Sequence, residues 1–231
     1  MRFRTITQLA ALAAGAVIAF TGVTACGERS ESPSTTTPQG TAMPETGTYI
    51  VTMPPKDGQP PMVLAVTVDG ERIAAYACNN TNDEAWFFGT QSNGKIDLTS
   101  KYLDRLQATY ENNALNTTLT MNDVTYTGVA ASATPPAGIY TATAGDARVS
   151  WIVKPDHSTV GVVSANSKND REVIDQINAQ QQAFKDKVRQ ARLQRQLQQA
   201  AALNHGTWTS TVNGAVVTAT RVTGTMTSPP G

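Results

Sequence analysis

The sequence predicts a mainly β protein: an antiparallel meander that closes as a barrel or stacks as a sandwich, with one long α-helix inserted near the C-terminus. Three observations carry this reading. Period-2 segments alternate with turn dipeptides such as Asp69-Gly70, Asn93-Gly94 and Asn112-Asn113, and these supply the positive φ angles that short hairpins require. Threonine, which is β-branched and suits a solvated strand face, fills 33 of 231 positions. Only residues 169–204 break the pattern, being free of Gly and Pro and rich in the helix formers Gln, Ala, Arg, Lys and Leu.

Taken in order, Arg2 and Arg4 precede an apolar stretch from Ile6 to Phe20, then Val23-Thr24-Ala25-Cys26. A charged start, an apolar core and small residues before a cut predict a signal peptide over residues 1–25. The apolar stretch is short for a span of ~20 residues. The tetrapeptide resembles the lipobox of bacterial lipoproteins: aliphatic Val23, small Thr24 and Ala25, then the acceptor Cys26. The resemblance implies cleavage before Cys26 and a diacylglycerol on its sulfur, with a lipid anchor holding the chain to the extracytoplasmic face of the cell membrane. Stable anchoring takes about two acyl chains, which this modification supplies. Residues 26–46, rich in Ser, Thr and Pro, are expected to be a disordered tether of roughly 25 Å.

Residues 47–166 are expected to form one antiparallel β domain. Strands are read at Thr48–Met53, Met62–Val68, Arg72–Cys78, Ala85–Thr90, Lys95–Thr99, Arg105–Tyr110, Leu115–Thr120, Val124–Ala130, Gly138–Ala142, Arg148–Val153 and Thr159–Ser164. Trp86 and Phe88 are expected to share a face with Ile96 and Leu98. Residues 167–205 then read as the long helix, opened by the Asn169/Glu172 capping box and closed by Gly206. Residues 206–223 read as a hairpin about Asn213-Gly214 that completes the β domain, and 224–231 as a disordered tail.

The helix carries a narrow apolar stripe through Ile177, Phe184 and Val188, beside bases such as Arg192. Three readings stand: the stripe covers an open edge or barrel mouth, these four residues form a partner-binding seam, or the helix lies on a membrane surface, for which its apolar face is weak. Charge excludes one class of partner. Eighteen basic residues balance eighteen acidic ones, and loss of Arg2 and Arg4 leaves sixteen against eighteen, with no basic footprint for nucleic acid.

Chemistry-bearing residues are sparse. His157 and His205, the only histidines, read as solvated caps at a turn and at the helix end. No metal motif or nucleophile elbow occurs, and no cofactor is expected. Asp69, Asp97, Asp104 and Asp123 read as solvated residues near turns rather than an acid–base pair. With Cys26 acylated, Cys78 is the one remaining thiol. It reads as a small core residue, or else as an exposed free thiol.

The segments "AYACNNTNDEAWFFGT", "GKIDLTS", "TYTGVAA" and "VSWIVKPDHSTVGV" resemble a β-rich module of exported actinobacterial proteins. The resemblance covers about half the chain, implies an envelope location and carries no activity. The expected function is therefore non-enzymatic binding in the cell envelope, to a protein or a wall polymer. The alternatives are a carrier of a lipid or other apolar ligand in a barrel pocket, and a wall-directed hydrolase.

Overall fold

The computed structural model describes residues 42–165 and 181–229, with the backbone alone over 181–185. Eight strands pair in sequence order and close on themselves: β1 (Thr46–Met53), β2 (Met62–Asp69), β3 (Arg72–Cys78), β4 (Glu84–Ser92), β5 (Lys95–Thr99), β6 (Arg105–Glu111), β7 (Ala114–Met121) and β8 (Val124–Ser132). Closure is made where Tyr49 and Ile50 of β1 meet Ser132 and Ala131 of β8. The Asx-rich turns behave as their composition requires. Asn93, Asn112, Asn113, Asn122 and Asp123 all take positive φ, the conformation that matches a two-residue loop to the strand twist.

An eight-stranded barrel has an interior just wide enough for side chains to fill, or to hold one small ligand. Here side chains fill it. Tyr49, Met53, Leu64, Ile73, Phe87, Leu106, Leu115 and Leu119 belong to one buried cluster running round the wall.

The meander does not continue as one sheet. β9 (Gly138–Ala144), β10 (Ala147–Val153) and β11 (Thr159–Ser164) leave the barrel and form a second sheet with β12 (Leu197–Gln199) and β15 (Thr220–Arg221), ordered β12-β11-β10-β9-β15. This sheet lies on the outer face of β1–β3, where Ile50, Val63, Ala65, Ala74, Tyr76 and Cys78 meet Ile139, Ile152, Val162 and Val222. β2 and β3 are thereby buried on both faces, which explains why their sequences run apolar without alternating. The hairpin β13 (Thr209–Val212) and β14 (Ala215–Thr218) covers the sheet's other side, with Val212, Val217 and Leu203 against Val149, Trp151 and Val153.

Four expectations need correction. The helix expected over 167–205 is present as α1 (Gln181–Leu193) and stops at Leu193; residues 166–180 lie outside the described residues. Beyond it, Leu197–Gln199 form β12, paired to the free edge of β11. An unpaired strand edge offers backbone hydrogen bonds that outweigh the local helix preference of Leu, Gln and Ala. The tail from residue 224 is also not free over 224–229: Gly224 is buried against Arg72 and Asp69, and Met226 packs on the inter-layer core. At the other end of the domain Met43, placed in the tether, rests on the barrel core. Finally, Trp86 and Phe88 do not share a face with Ile96 and Leu98. The turn at Asn93-Gly94 sets Ser92 opposite Lys95 and Gln91 opposite Ile96, so Ile96 and Leu98 point inward with Phe87 while Trp86 and Phe88 point outward.

Candidate functional site

The barrel wall has a weak seam. β4 and β5 pair at only two positions, Gln91 with Ile96 and Ser92 with Lys95, whereas β3 and β4 pair over seven. Nearer the Glu84 end the two strands part. Gly89 permits this crossing, because a Cβ there would stand 2.4 Å from Leu98 Cδ2. The gap becomes a pocket of about 250 Å³ lined on one lip by Glu84, Trp86 and Phe88 and on the other by Thr99–Tyr102, with Arg148, Arg195 and the 227–229 tail also facing it.

The floor of this pocket is charged and buried. Glu84, 2% exposed, is bridged by Arg148 from β10 and accepts a 2.9 Å hydrogen bond from the Tyr76 hydroxyl. Burial and the neighbouring Glu84 push the Tyr76 phenol well above its ordinary range, so it stays a donor. Tyr76, Trp86 and Phe88 form a stack of rings along the outer wall, 4.6 and 5.5 Å apart in turn. On the opposite lip, the Arg195 guanidinium lies 4.5 Å over the Tyr102 ring. Trp86 Nε1, Arg148 Nε and Arg195 Nε are buried N–H donors with no acceptor among the described residues.

Next to the pocket, α1 and the turn after it close one mouth of the barrel. Arg192, with its side chain 8% exposed, bridges Asp83 and Asp104, and Arg195 donates to the Glu84 carbonyl at 3.0 Å. Asn79 supports this corner: its Oδ1 accepts from the backbone N–H groups of Thr81, Asn82 and Asp83, which fixes the β3–β4 loop. Burial raises the Asp104 carboxyl above its ordinary range, while Arg192 and the Ser100 hydroxyl pull the other way. A second, more polar pocket of about 400 Å³ lies between the helix and the loops carrying Leu103, Asp104, Asn122 and Asp123.

The residues singled out in the sequence fare differently. Val23, Thr24, Ala25, Cys26 and Ile177 lie outside the described residues, as does the side chain of Phe184. Val188 and Arg192 are not a free seam for a partner. Val188 packs with Ala191 and Tyr102, and Arg192 is consumed by its two aspartates, because the helix face that carries them turns inward to the barrel mouth. Cys78 is a free thiol but fully buried, and desolvation pushes it up to about 12. Asp104 is no solvated turn residue, at 3% exposed. Asp97 and Asp123 are ion-paired on the surface with Arg105 and Arg189. His157 is an exposed turn residue, whereas His205 is half-buried and stacks on Trp208 at 5.6 Å. Among the described residues no group of three or more His, Cys, Asp or Glu is placed to hold a metal ion, and no helix is long and apolar enough to cross a membrane.

Sequence reasoning missed Glu84, Arg148 and Arg195. One signal was available: Arg148 sits in the otherwise apolar run from Ala147 to Val153, and a charge in a doubly buried strand needs a partner. No protein-family model, curated protein or solved structure matches the chain.

Proposed function

We propose that the chain is a lipid-anchored, extracytoplasmic binding protein that engages a wall polymer, without catalysis, through the outer-wall pocket between β4 and β5. One observation carries this reading: the pocket joins aromatic rings to a buried, fixed set of basic groups, the combination of apolar walls and few convergent polar groups typical of ligand sites. The eight-stranded barrel suits a binding or carrier role. Its interior holds Met53, Phe87 and Leu106 where a carried lipid would lie, which favours recognition on the outside. The acids near the pocket, Asp83, Glu84 and Asp104, are each held by an arginine, an arrangement that fixes loops and the helix rather than moving protons.

Attachment is supported by the leader and by Val23-Thr24-Ala25-Cys26. Labelled palmitate should enter the wild-type chain and not Cys26→Ala, and the variant should leave the membrane fraction. For binding, the full chain in detergent should co-sediment with purified insoluble wall polymer, and the Trp86→Ala/Phe88→Ala variant should stay in the supernatant with an unchanged circular dichroism spectrum. A wild-type chain left in the supernatant would refute the wall-polymer reading.

A further inference from the structure

We infer that the pocket between β4 and β5 takes a single sugar-sized ring bearing an anionic group, so that the wall component it selects is an acidic one. The inference rests on the binding role proposed above and adds the ligand's chemistry.

Size comes first. About 250 Å³ lies just below the usual range of small-molecule pockets, which begins near ~300 Å³, and suits one ring rather than a chain of them. Shape comes next. The outer rings of the Tyr76–Trp86–Phe88 stack border one side, and Tyr102 borders the other. A pyranose presents an apolar C–H face to such rings and a rim of hydroxyls to its surroundings. Thr99, Thr227 and Ser228 supply hydroxyl-bearing lips to that rim.

Charge then selects among rings. Three basic side chains face the pocket, Lys101, Arg148 and Arg195, against one acid, Glu84. The acid is already engaged on both oxygens, by Arg148 and by Tyr76, and cannot repel a ligand as a free carboxylate would. With Asp83, which bridges Arg195, counted beside Glu84, three bases against two acids leave a formal charge of +1 around the cavity. Arg148 and Arg195, with side chains 10% and 4% exposed, are held by Glu84 and by Asp83 with the Glu84 carbonyl. A guanidinium so placed meets an anion with little loss of rotamer freedom. Their Nε–H groups and Trp86 Nε1–H have no acceptor among the described residues, and buried tryptophan N–H groups normally find one.

A carboxylate and a phosphate share this chemistry, as in a uronic acid of a glycan or a phosphorylated sugar, and the two are separated by experiment. The full chain in detergent, labelled with 5-fluorotryptophan, has three ¹⁹F resonances, from Trp86, Trp151 and Trp208; Trp86→Phe assigns the first. Glucuronate, glucose 6-phosphate and neutral glucose are titrated in turn. We expect the Trp86 resonance to shift saturably with one or both acidic sugars, at least tenfold more tightly than with glucose, and Lys101→Gln to weaken that binding several-fold. Glucuronate binding alone assigns a carboxylated ring, and glucose 6-phosphate binding alone a phosphorylated one. Equal binding of glucose at Trp86 overturns the anionic assignment while leaving the pocket as the binding site. Saturable binding that leaves Trp86 unmoved, or no binding by any of the three, overturns the pocket itself. Unchanged Trp151 and Trp208 resonances in each variant show that the fold is intact.

Discussion

The two mouths of the barrel are closed by opposite means. At one, β2–β3, β4–β5 and β6–β7 turn back over short loops carrying left-handed Gly70, Asn93, Gly94, Asn112 and Asn113, and Met43 lies on the core as the chain enters β1. At the other, the loops after β3 and β5 meet α1 through one guanidinium, with Arg192 joined to residues 109 and 88 positions away. Local geometry distributes closure over several independent turns. Charge gathers it on three arginines, Arg189, Arg192 and Arg195, of which Arg192 alone spans two loops, and the binding pocket borders that end.

The largest effect should follow from breaking the clamp. Arg192→Ala leaves Asp104 without its cation and Asp83 with Arg195 alone, at 3.6 Å, and breaking a buried ion pair by removing one partner costs about 3–5 kcal/mol. Urea unfolding of the full chain should show that loss. A change below about 1 kcal/mol would mean that water or Arg195 can replace Arg192, and that the helix end is no more brittle than the turn end. At the turn mouth a single substitution should cost less. Gly94 has φ +73° and a Cβ there would come within 3.0 Å of the Tyr110 Cβ, so Gly94→Val should cost about 1–3 kcal/mol. If it costs more than Arg192→Ala, the contrast between the mouths is reversed.

The same contrast governs how much was legible in the sequence. Turns and strand registers are local: Asn93-Gly94 and Asn112-Asn113 announce two-residue hairpins, and all eleven strands through Thr159–Ser164 lie where alternation and turn chemistry put them. Closure into a barrel was left open against a sandwich, because β1–β8 pairing joins residues some eighty positions apart and leaves no local mark. The site was barely legible. Glu84, Arg148 and Arg195 come from a strand start, a second sheet and the turn after a helix; Glu84 and Arg195 each read alone as an ordinary surface charge, and Arg148, out of place in a buried strand, does not name its partner. Arg192 stands out on its helix face, but covering the barrel mouth and meeting a partner stay open alternatives, since a stripe fixes which residues align and not which side meets the barrel. The helix end was missed because the competing partner, the edge of β11, lies over thirty residues away.

Cys78 sharpens the comparison by reporting on a third place, the layer between barrel and second sheet. With its thiol pushed up to about 12 by burial, roughly one in ten thousand is ionised at pH 8, and the sulfur is shielded besides. Iodoacetamide should leave it untouched in the native chain and modify it in urea. In Arg192→Ala the layer should stay closed and Cys78 protected, since its neighbours Ile139, Ile152 and Val162 make no contact through the clamp. Fast alkylation in that variant would show that the helix mouth and the sheet interface open as one unit.

The smallest effect belongs to Asp97, which forms the same kind of pair as Asp104 in the opposite setting. Arg105 donates to it through Nε at 2.9 Å and a terminal nitrogen at 2.7 Å, on the open wall of the barrel. That hydrogen bonding lowers the Asp97 carboxyl, whereas burial raises that of Asp104 despite Arg192. The signs of the linkage differ accordingly. Asp97 contributes to stability above its unfolded value and loses that contribution as pH falls through its depressed native one. Asp104 favours the folded state most below its unfolded value, and that preference is lost as pH rises through its raised native one. A ¹³C carboxyl titration should therefore find Asp104 protonating first on acidification and Asp97 last. Asp97→Asn should hardly move the urea midpoint at pH 7, since exposed pairs are screened by water and salt. If Asp104 instead titrates below Asp97, the guanidinium outweighs desolvation at the clamp, and the helix mouth is held as firmly in acid as at neutral pH.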